Sequence, residues 1–454
     1  MTGAAISLSA ILLAGDPAAA QEAASPDVQP EPAPAPQGVF PVPVYHGDLW
    51  ERSFLAGDPT GDRTSLAEQG VQFSIDWTQT AQSVVSGGRN SKTAYGGTLD
   101  YTMTLDLMKM NLLPGAAIKL RGESRYGESV NGDAGPLLPV SADMSFPLTK
   151  ELDENVPFAL TTLTFNQFFS ESFGIFIGKF DTLDGDGNEF ASGRGLTQFQ
   201  NLNFVFNPAP LVTVPYSTLG AGLFWTPAER VAVSASIANT SDSSTTTGFS
   251  DIGDGWTLAA ETSVQYRVGD LPGGFNVGGT FAWDNDFATI GRRFTFEPGE
   301  GITPVPGQDE SWALYTSMWQ YLSAEAPTEN ADAPLNVADG RPDRRGLGVF
   351  ARLGLADDDT NPLELGFSGG LGGRGILPGR PDDIFGVGYF RNEVQTRRLT
   401  TVLGIQDSYE GFEAFYNIAV TPAVGLTFNV QVVEPARDVD DTGVVLGLRL
   451  MTRF

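Results

Sequence analysis

The chain has 454 residues with 54 glycines, 30 phenylalanines and no cysteine, so disulfides, thiol nucleophiles and cysteine-ligated metal centres are excluded. Its 27 basic and 55 acidic residues give a formal net charge of -28, a field that repels the phosphates of nucleic acid, which is therefore not an expected partner. Mean hydropathy is -0.09 and no long apolar run follows the N-terminal segment; this argues against helical membrane spans but fits spanning strands, whose inner faces are polar.

Residues 4–14 (AAISLSAILLA) are apolar, and Ala18-Ala19-Ala20 before Gln21 has the small-residue pattern of a signal-peptidase site, so residues 1–20 read as a secretory signal. No Lys or Arg precedes Arg52, so the basic start of such a signal is missing. Residues 21–49 read as a Pro/Ala-rich linker, extended and semi-rigid. The single histidine, His46, falls at its end, where it cannot anchor a Ser-His triad or a histidine-rich metal site, so neither an enzyme nor a cofactor is expected. Residues 50–454 read as one domain. It begins with a short helix over 64–69, for which Asp62 and Thr64 offer caps and Gly70 a stop.

From Val71 onward one theme repeats: alternating runs of about ten residues, the length of a tilted membrane-spanning strand. They fall at 71–84, 95–110, 116–126, 158–168, 173–180, 219–226, 231–239 and 256–268, then at 275–283, 312–321, 346–355, 363–371, 384–394, 410–420, 425–433 and 444–454. A further run at 199–206 is assigned to a loop, because single-chain bacterial barrels have even strand counts; the expectation is an all-β transmembrane antiparallel barrel of about sixteen strands. Short periplasmic turns such as Pro422-Ala423 and Leu113-Pro114-Gly115 should alternate with long outer loops, and the polar stretches 285–310 and 323–345 are long. Trp225, Trp283, Trp319, Tyr321, Tyr389 and Phe390 stand near run ends, where interfacial girdles need amphipathic rings.

The run KLRGESRYGES places Lys119, Arg121, Glu123 and Arg125 on one face, about 7 Å apart along the strand, so mixed charges should point into the lumen. Such charges either hydrogen-bond sugar hydroxyls or simply form a solvated face. The last run, VVLGLRLMTRF, sets Val444, Leu446, Leu448, Leu450, Thr452 and Phe454 on one face and two arginines on the other. It resembles the C-terminal signal of outer-membrane barrels, which implies recognition of Phe454 by the barrel-assembly machinery.

Four segments resemble the carbohydrate-selective porins of the OprB type. Gly57-Asp58, Arg63, Leu66-Ala67-Glu68 and Gly70 match the family's N-terminal signature, with Pro59 where tryptophan is usual. Gly178-Lys179, Asp181, Asp184-Gly185-Asp186, Glu189-Phe190 and Gly193-Arg194-Gly195 match its most recognisable stretch. DDIFGVGYFRNEVQ at 382–395 and EGFEAFYNIAVTPAVGLTFNVQVVEPARD at 410–438 match its late strands. The resemblance implies a porin of a Gram-negative outer membrane, passing small sugars by passive diffusion, whose loop after residue 180 folds towards the pore and forms its constriction. Expected constriction residues are Arg121, Glu123, Arg125 and Arg194, with Lys179, Glu189 and Gln198 as secondary candidates. Asp184, Asp186 and Asn188 are similar to a calcium loop, but Glu189 and Gly195 occupy the positions where that loop needs Gly and Glu, so no metal is expected. Outer-membrane lipid and lipopolysaccharide are the expected surroundings, and homo-oligomerisation stays open.

Three other readings differ in what they require. A general or anion-preferring porin needs a dominantly basic lumen. A non-conducting structural barrel, anchored through the Pro-rich segment, needs a plugged one. A soluble lectin-like β protein would pack its apolar faces against one another.

Overall fold

The structure is a computed structural model that describes residues 38–151, 153–183, 187–290, 294–297, 301–304, 307–325, 342, 344–395 and 404–454. The secretory signal and most of the linker expected before residue 38 lie outside these residues, as do Asp184 and Asp186.

Sixteen antiparallel strands close into one barrel, each hydrogen-bonded to its sequence neighbours, and the last pairs with the first. They are β1 (Val71–Gly88), β2 (Thr93–Asp106), β3 (Ala116–Gly127), β4 (Val156–Ser170), β5 (Phe173–Asp181), β6 (Ser217–Ala228), β7 (Val231–Asn239), β8 (Trp256–Val268) and β9 (Leu271–Trp283). A two-stranded ribbon follows, β10 (Phe294–Glu297) with β11 (Gly301–Pro304). The barrel then continues through β12 (Ser311–Ala324), β13 (Gly346–Ala356), β14 (Leu363–Arg374), β15 (Ile384–Val394), β16 (Ser408–Thr421), β17 (Val424–Val433) and β18 (Asp441–Arg453). Every expected run is a strand, and 199–206 lies in a connection, as expected.

Period-two alternation explains the wall. In β18, Leu446 and Leu448 are 48% and 43% exposed on the outer face, while Val445 and Arg449 are fully buried on the inner one. Closure leaves the barrel sheet without an open edge strand. Among the described residues no helix is long and apolar enough to cross a membrane.

The seam between β1 and β18 is braced from below. Helix α1 (Asp62–Glu68) starts two residues earlier than expected, and its first turn is capped by Asp58, which accepts from the backbone N–H groups of Arg63 and Thr64 and from the Thr64 hydroxyl at 2.6 Å. These bonds favour the carboxylate and hold the Asp58 pKa below its ordinary value. Arg63 lies against the rings of Tyr45, Phe54 and Phe73 and donates to the carbonyls of Phe73 and Phe454 at 2.7 and 3.1 Å. The end of the expected linker is thus tied down: Phe40 N–H donates to Asp106, Lys109 donates to the Phe40 carbonyl, and Gln72 donates to the Pro41 carbonyl.

The rim that carries α1 and Phe454 is the base. Strand parity places there the strand ends that flank connections 107–115, 171–172, 229–230, 269–270, 325–345, 375–383 and 422–423, and the other strand ends at the top. The stretch 323–345, expected among the long outer loops, therefore leaves from the base, while 89–92 and 357–362 are short and lie at the top. In an up-and-down barrel the strand count decides the side, whatever the length. Parity also corrects half of the expected girdle: Trp225 and Tyr389 face outward, but Trp319, Tyr321 and Phe390 face the lumen and pack against rings of the top connection 182–216.

The largest apolar core sits inside the barrel. Val130, Leu138, Val140 and Ala142 from connection 128–155 pack with Phe190, Phe199, Leu202, Phe204 and Val205 from connection 182–216, against Phe350, Phe390 and Phe415 of the wall. Phe199 and Phe204 are fully buried, worth about 2 kcal/mol each. They lie over Gly386 and Gly388, where a Cβ would come within 2.8 and 2.5 Å of their rings.

Candidate functional site

Connection 182–216 leaves β5, reaches the far wall, returns to β3, and then follows the inner wall back to β6. Asn188 donates to Ser317 of β12 at 2.9 Å and Phe190 stacks edge-on against Tyr321, so the loop has crossed the lumen by this point. Crossing back, Gly193, Arg194 and Gly195 all take positive φ, of 78, 54 and 76°. Glycine adopts this conformation freely, whereas the left-handed region costs Arg194 about 1–2 kcal/mol.

What offsets that cost is a cluster of charge drawn from β2, β3 and β5. Arg194 Nη1 lies 2.8 Å from Asp181 Oδ2, and its Nη2 lies 3.1 Å from Glu123 Oε1. Arg121 Nη1 meets the same Asp181 oxygen at 2.9 Å. Tyr216, at the end of the loop, donates to Glu123 Oε2 at 2.6 Å, Thr161 donates to Glu123 Oε1 at 2.9 Å, and Asp100 stands beside Glu123 on β2, 3.9 Å from Arg194. Two guanidinium groups and three carboxylates thus meet at one edge of the lumen. The arrangement fixes a field of mixed sign and presents both donors and acceptors to a passing solute. Asp100, Glu123 and Arg194 line a small cavity together with Asp143, Phe146 and Leu183.

The other expected site residues have different surroundings. Arg125 shares the lumen face of β3 but is buried, donating to the Met144 and Glu154 carbonyls and to the Thr149 hydroxyl, so it holds connection 128–155 in place. Gln198 is buried within its own loop, accepting from Ser192 N–H at 2.6 Å and donating to the Glu189 carbonyl at 3.0 Å. Glu189 accepts from the Tyr321 hydroxyl at the lumen wall. Lys179 is not brought to the cluster: it lies on the β5 face that carries the exposed Ile175 and Ile177, and its Nζ donates to the carbonyls of Ser243 and Thr246 in the connection after β7. The carboxamide of Asn188, named with Asp184 and Asp186 as a calcium candidate, is engaged by β12 and by the Phe190 N–H.

A second set of lumen-facing charges was not anticipated as loop supports. Arg352 donates to the carbonyls of Phe204 and Ala191. Arg449 donates to those of Gly195 and Gln198, and Glu413 accepts from the N–H groups of Gln200 and Asn201 at 2.7 and 2.8 Å. All three are buried. They fix the loop that carries Arg194. Of the residues missed, Asp100 could have been found from the polar face of its strand, whereas Tyr216 has no local signal.

A family model described as "Carbohydrate-selective porin, OprB family" matches residues 90–454. The chain is similar to Porin B of Pseudomonas aeruginosa, 25% identical over 440 residues, which cover 88% of this chain and 91% of that protein. It is also similar to two solved structures of Pseudomonas putida OprB, described as its high-pH and low-pH structures. Their TM-scores are 0.73 and 0.57 at 21% and 16% identity, each match covering 89% of this chain and 99% of the other, and they share its fold.

Proposed function

This chain belongs to the carbohydrate-selective porin (OprB) family, and from that premise we propose that small sugars cross its barrel past a constriction framed by connection 182–216, with Arg121, Glu123 and Arg194 at its charged edge. It is an outer-membrane porin of a Gram-negative bacterium for passive carbohydrate diffusion, a channel rather than an enzyme. The observation that carries the constriction reading is Arg194, held in a left-handed turn between Asp181 and Glu123. Arg125, Glu189 and Gln198 serve by holding the loops, and Lys179 stands outside the constriction. Residues 1–20 act as a secretory signal and 21–49 as a linker whose end docks under the barrel, leaving 50–454 as the porin domain. The base is the periplasmic rim, Phe454 is read by the barrel-assembly machinery, lipid and lipopolysaccharide surround the wall, and oligomerisation is to be read from the purified protein.

The test is conductance of the refolded protein in planar bilayers, with glucose, a disaccharide and a neutral polyol titrated against the current. The expected result is concentration-dependent block by sugar at levels where the polyol has no effect, and a shift of the reversal potential towards cation preference in Arg194→Ala. Open channels that no sugar blocks would point to a general porin, and a folded, inserted protein without channels to a structural barrel.

A further inference from the structure

The outward faces of the described strands hold apolar, aromatic and uncharged polar side chains almost throughout, and exposed charge is gathered where β15 and β16 reach the top. Arg391, Glu393 and Glu410 there share the face of the exposed Val387 and Phe412, while the alternate residues Asn392 and Tyr409 are buried on the lumen side. Lys179 faces outward from β5 but is buried under the connection after β7. Arg391 stands four residues above Val387, about 10 Å along the membrane normal for a strand tilted by about 40°. Going up, the wall passes from apolar chains through the paired rings of Tyr389 and Phe412, 4.8 Å between centroids, to charge. That is the order of acyl chains, interface and headgroups in a membrane leaflet. The guanidinium of Arg391 organises the group: Nε donates to Glu393 Oε1 at 2.9 Å, Nη1 to Glu410 Oε2 at 3.2 Å and Nη2 to the Ser408 hydroxyl at 3.2 Å. The Tyr389 hydroxyl donates to the same Glu410 oxygen. A guanidinium has further N–H groups and each carboxylate a second oxygen, and all three side chains are a third to nearly a half exposed, so the cluster keeps both donors and acceptors for a ligand.

We propose that Arg391, Glu393 and Glu410 form a headgroup site for a phosphorylated glycolipid of the outer leaflet, Arg391 donating to the phosphate and the two glutamates holding a divalent cation that bridges to it. Two carboxylates beside one guanidinium leave a net negative charge, which repels a bare phosphate. A magnesium ion reverses this: it is held by one or two carboxylates together with phosphate oxygens and keeps several of its waters, a set that two exposed glutamates and a lipid phosphate supply. The planar fork of Arg391 suits the remaining phosphate oxygens. Below, Phe367, Val387 and Phe412 are exposed and apolar, as acyl chains of the same lipid require. A surface ion pair adds little stability by itself, so stability does not account for charge on a face otherwise kept almost free of it.

The site rests on the reading that lipopolysaccharide surrounds the wall, and its test separates the two. The folded protein in detergent is incubated with bisphosphorylated lipid A and magnesium, and bound lipid is counted by native mass spectrometry. The unaltered protein is compared with Arg391→Gln and with the double variant Glu393→Gln, Glu410→Gln. The unaltered protein should retain one lipid A that phosphatidylglycerol at equal concentration does not displace and that EDTA releases. Each variant should weaken that binding about tenfold with single-channel conductance unchanged. Should Arg391→Gln not fold, the double variant decides. Displacement by phosphatidylglycerol would overturn the glycolipid as the ligand, and retention untouched by EDTA would overturn the bridging cation. Lipid A held equally by the unaltered protein and the variants would overturn the site and leave the lipopolysaccharide-clad wall standing. An unaltered protein that holds no lipid A would overturn both.

Discussion

Between β13 and β18 the lumen face carries Phe350, Arg352, Phe390, Glu413, Phe415 and Arg449, and each of these meets connection 182–216. Between β7 and β9 it carries Ser234, Ser236, Ala259, Ser263 and Gly278, and the loop approaches through Thr213, which pairs with Thr280 and accepts from Thr257. One half is bulky because it is filled, and the other is small next to a cavity. A charge on the lumen face is therefore no sign of contact with solute: Arg449 and Arg194 are both lumen arginines, but the first binds backbone carbonyls of the loop that presents the second.

The strongest way to break this contrast is Arg449→Ala. It removes a buried cation that donates to two carbonyls, Gly195 and Gln198, and leaves both unsatisfied. We expect a loss of about 3–5 kcal/mol, read from the denaturant midpoint, together with a larger and noisier single-channel conductance as the loop loosens. A variant that unfolds and conducts as the unaltered protein does would remove Arg449 from the supports.

Adding bulk to the other half should do the reverse. Ser263→Phe, on the lumen face of β8, should leave stability within about 1 kcal/mol while cutting single-channel conductance to roughly half. Unchanged conductance would place the open path elsewhere.

The smallest effect is expected outside both halves, at the base. Because the Asp58 pKa is lowered on folding by its bonds to Thr64 and Arg63, its contribution to holding α1 is fully present above the unfolded value of 3.8 and is lost as pH falls through the lower folded value. Asp58→Asn should flatten that acid dependence, as followed by proteolysis of the segment before β1, and leave conductance unchanged. An acid profile identical in both proteins would show that Asp58 is not the titrating cap.

How much of this could be read from the sequence follows from the range of each signal. Alternation is local and strong, so every barrel strand, the loop identity of 199–206 and the shared face of Arg121, Glu123 and Arg125 were legible. The GVGYF stretch stood out as a pattern, but its cause was not visible: Gly386 and Gly388 are small because Phe199 and Phe204 lie on them. Whether a lumen charge frames the constriction or supports the loop depends on partners such as Arg449 and Gln198, 251 residues apart, and no local pattern encodes that. Lys179 falls on the face of Ile175 and Ile177 by simple alternation, and only its place in the family motif had made it a constriction candidate.

The brace under the seam has a consequence for the order in which the molecule is made. Arg63 reaches a carbonyl 391 residues away, at Phe454, while its guanidinium sits among Tyr45, Phe54 and Phe73. Few contacts in the chain span more sequence, and this one needs β18 already zipped to β1. Docking of α1 is then a late event that records completion: a barrel stalled one hairpin short would leave the N-terminal segment undocked and open to proteases, and one that has closed would hide it.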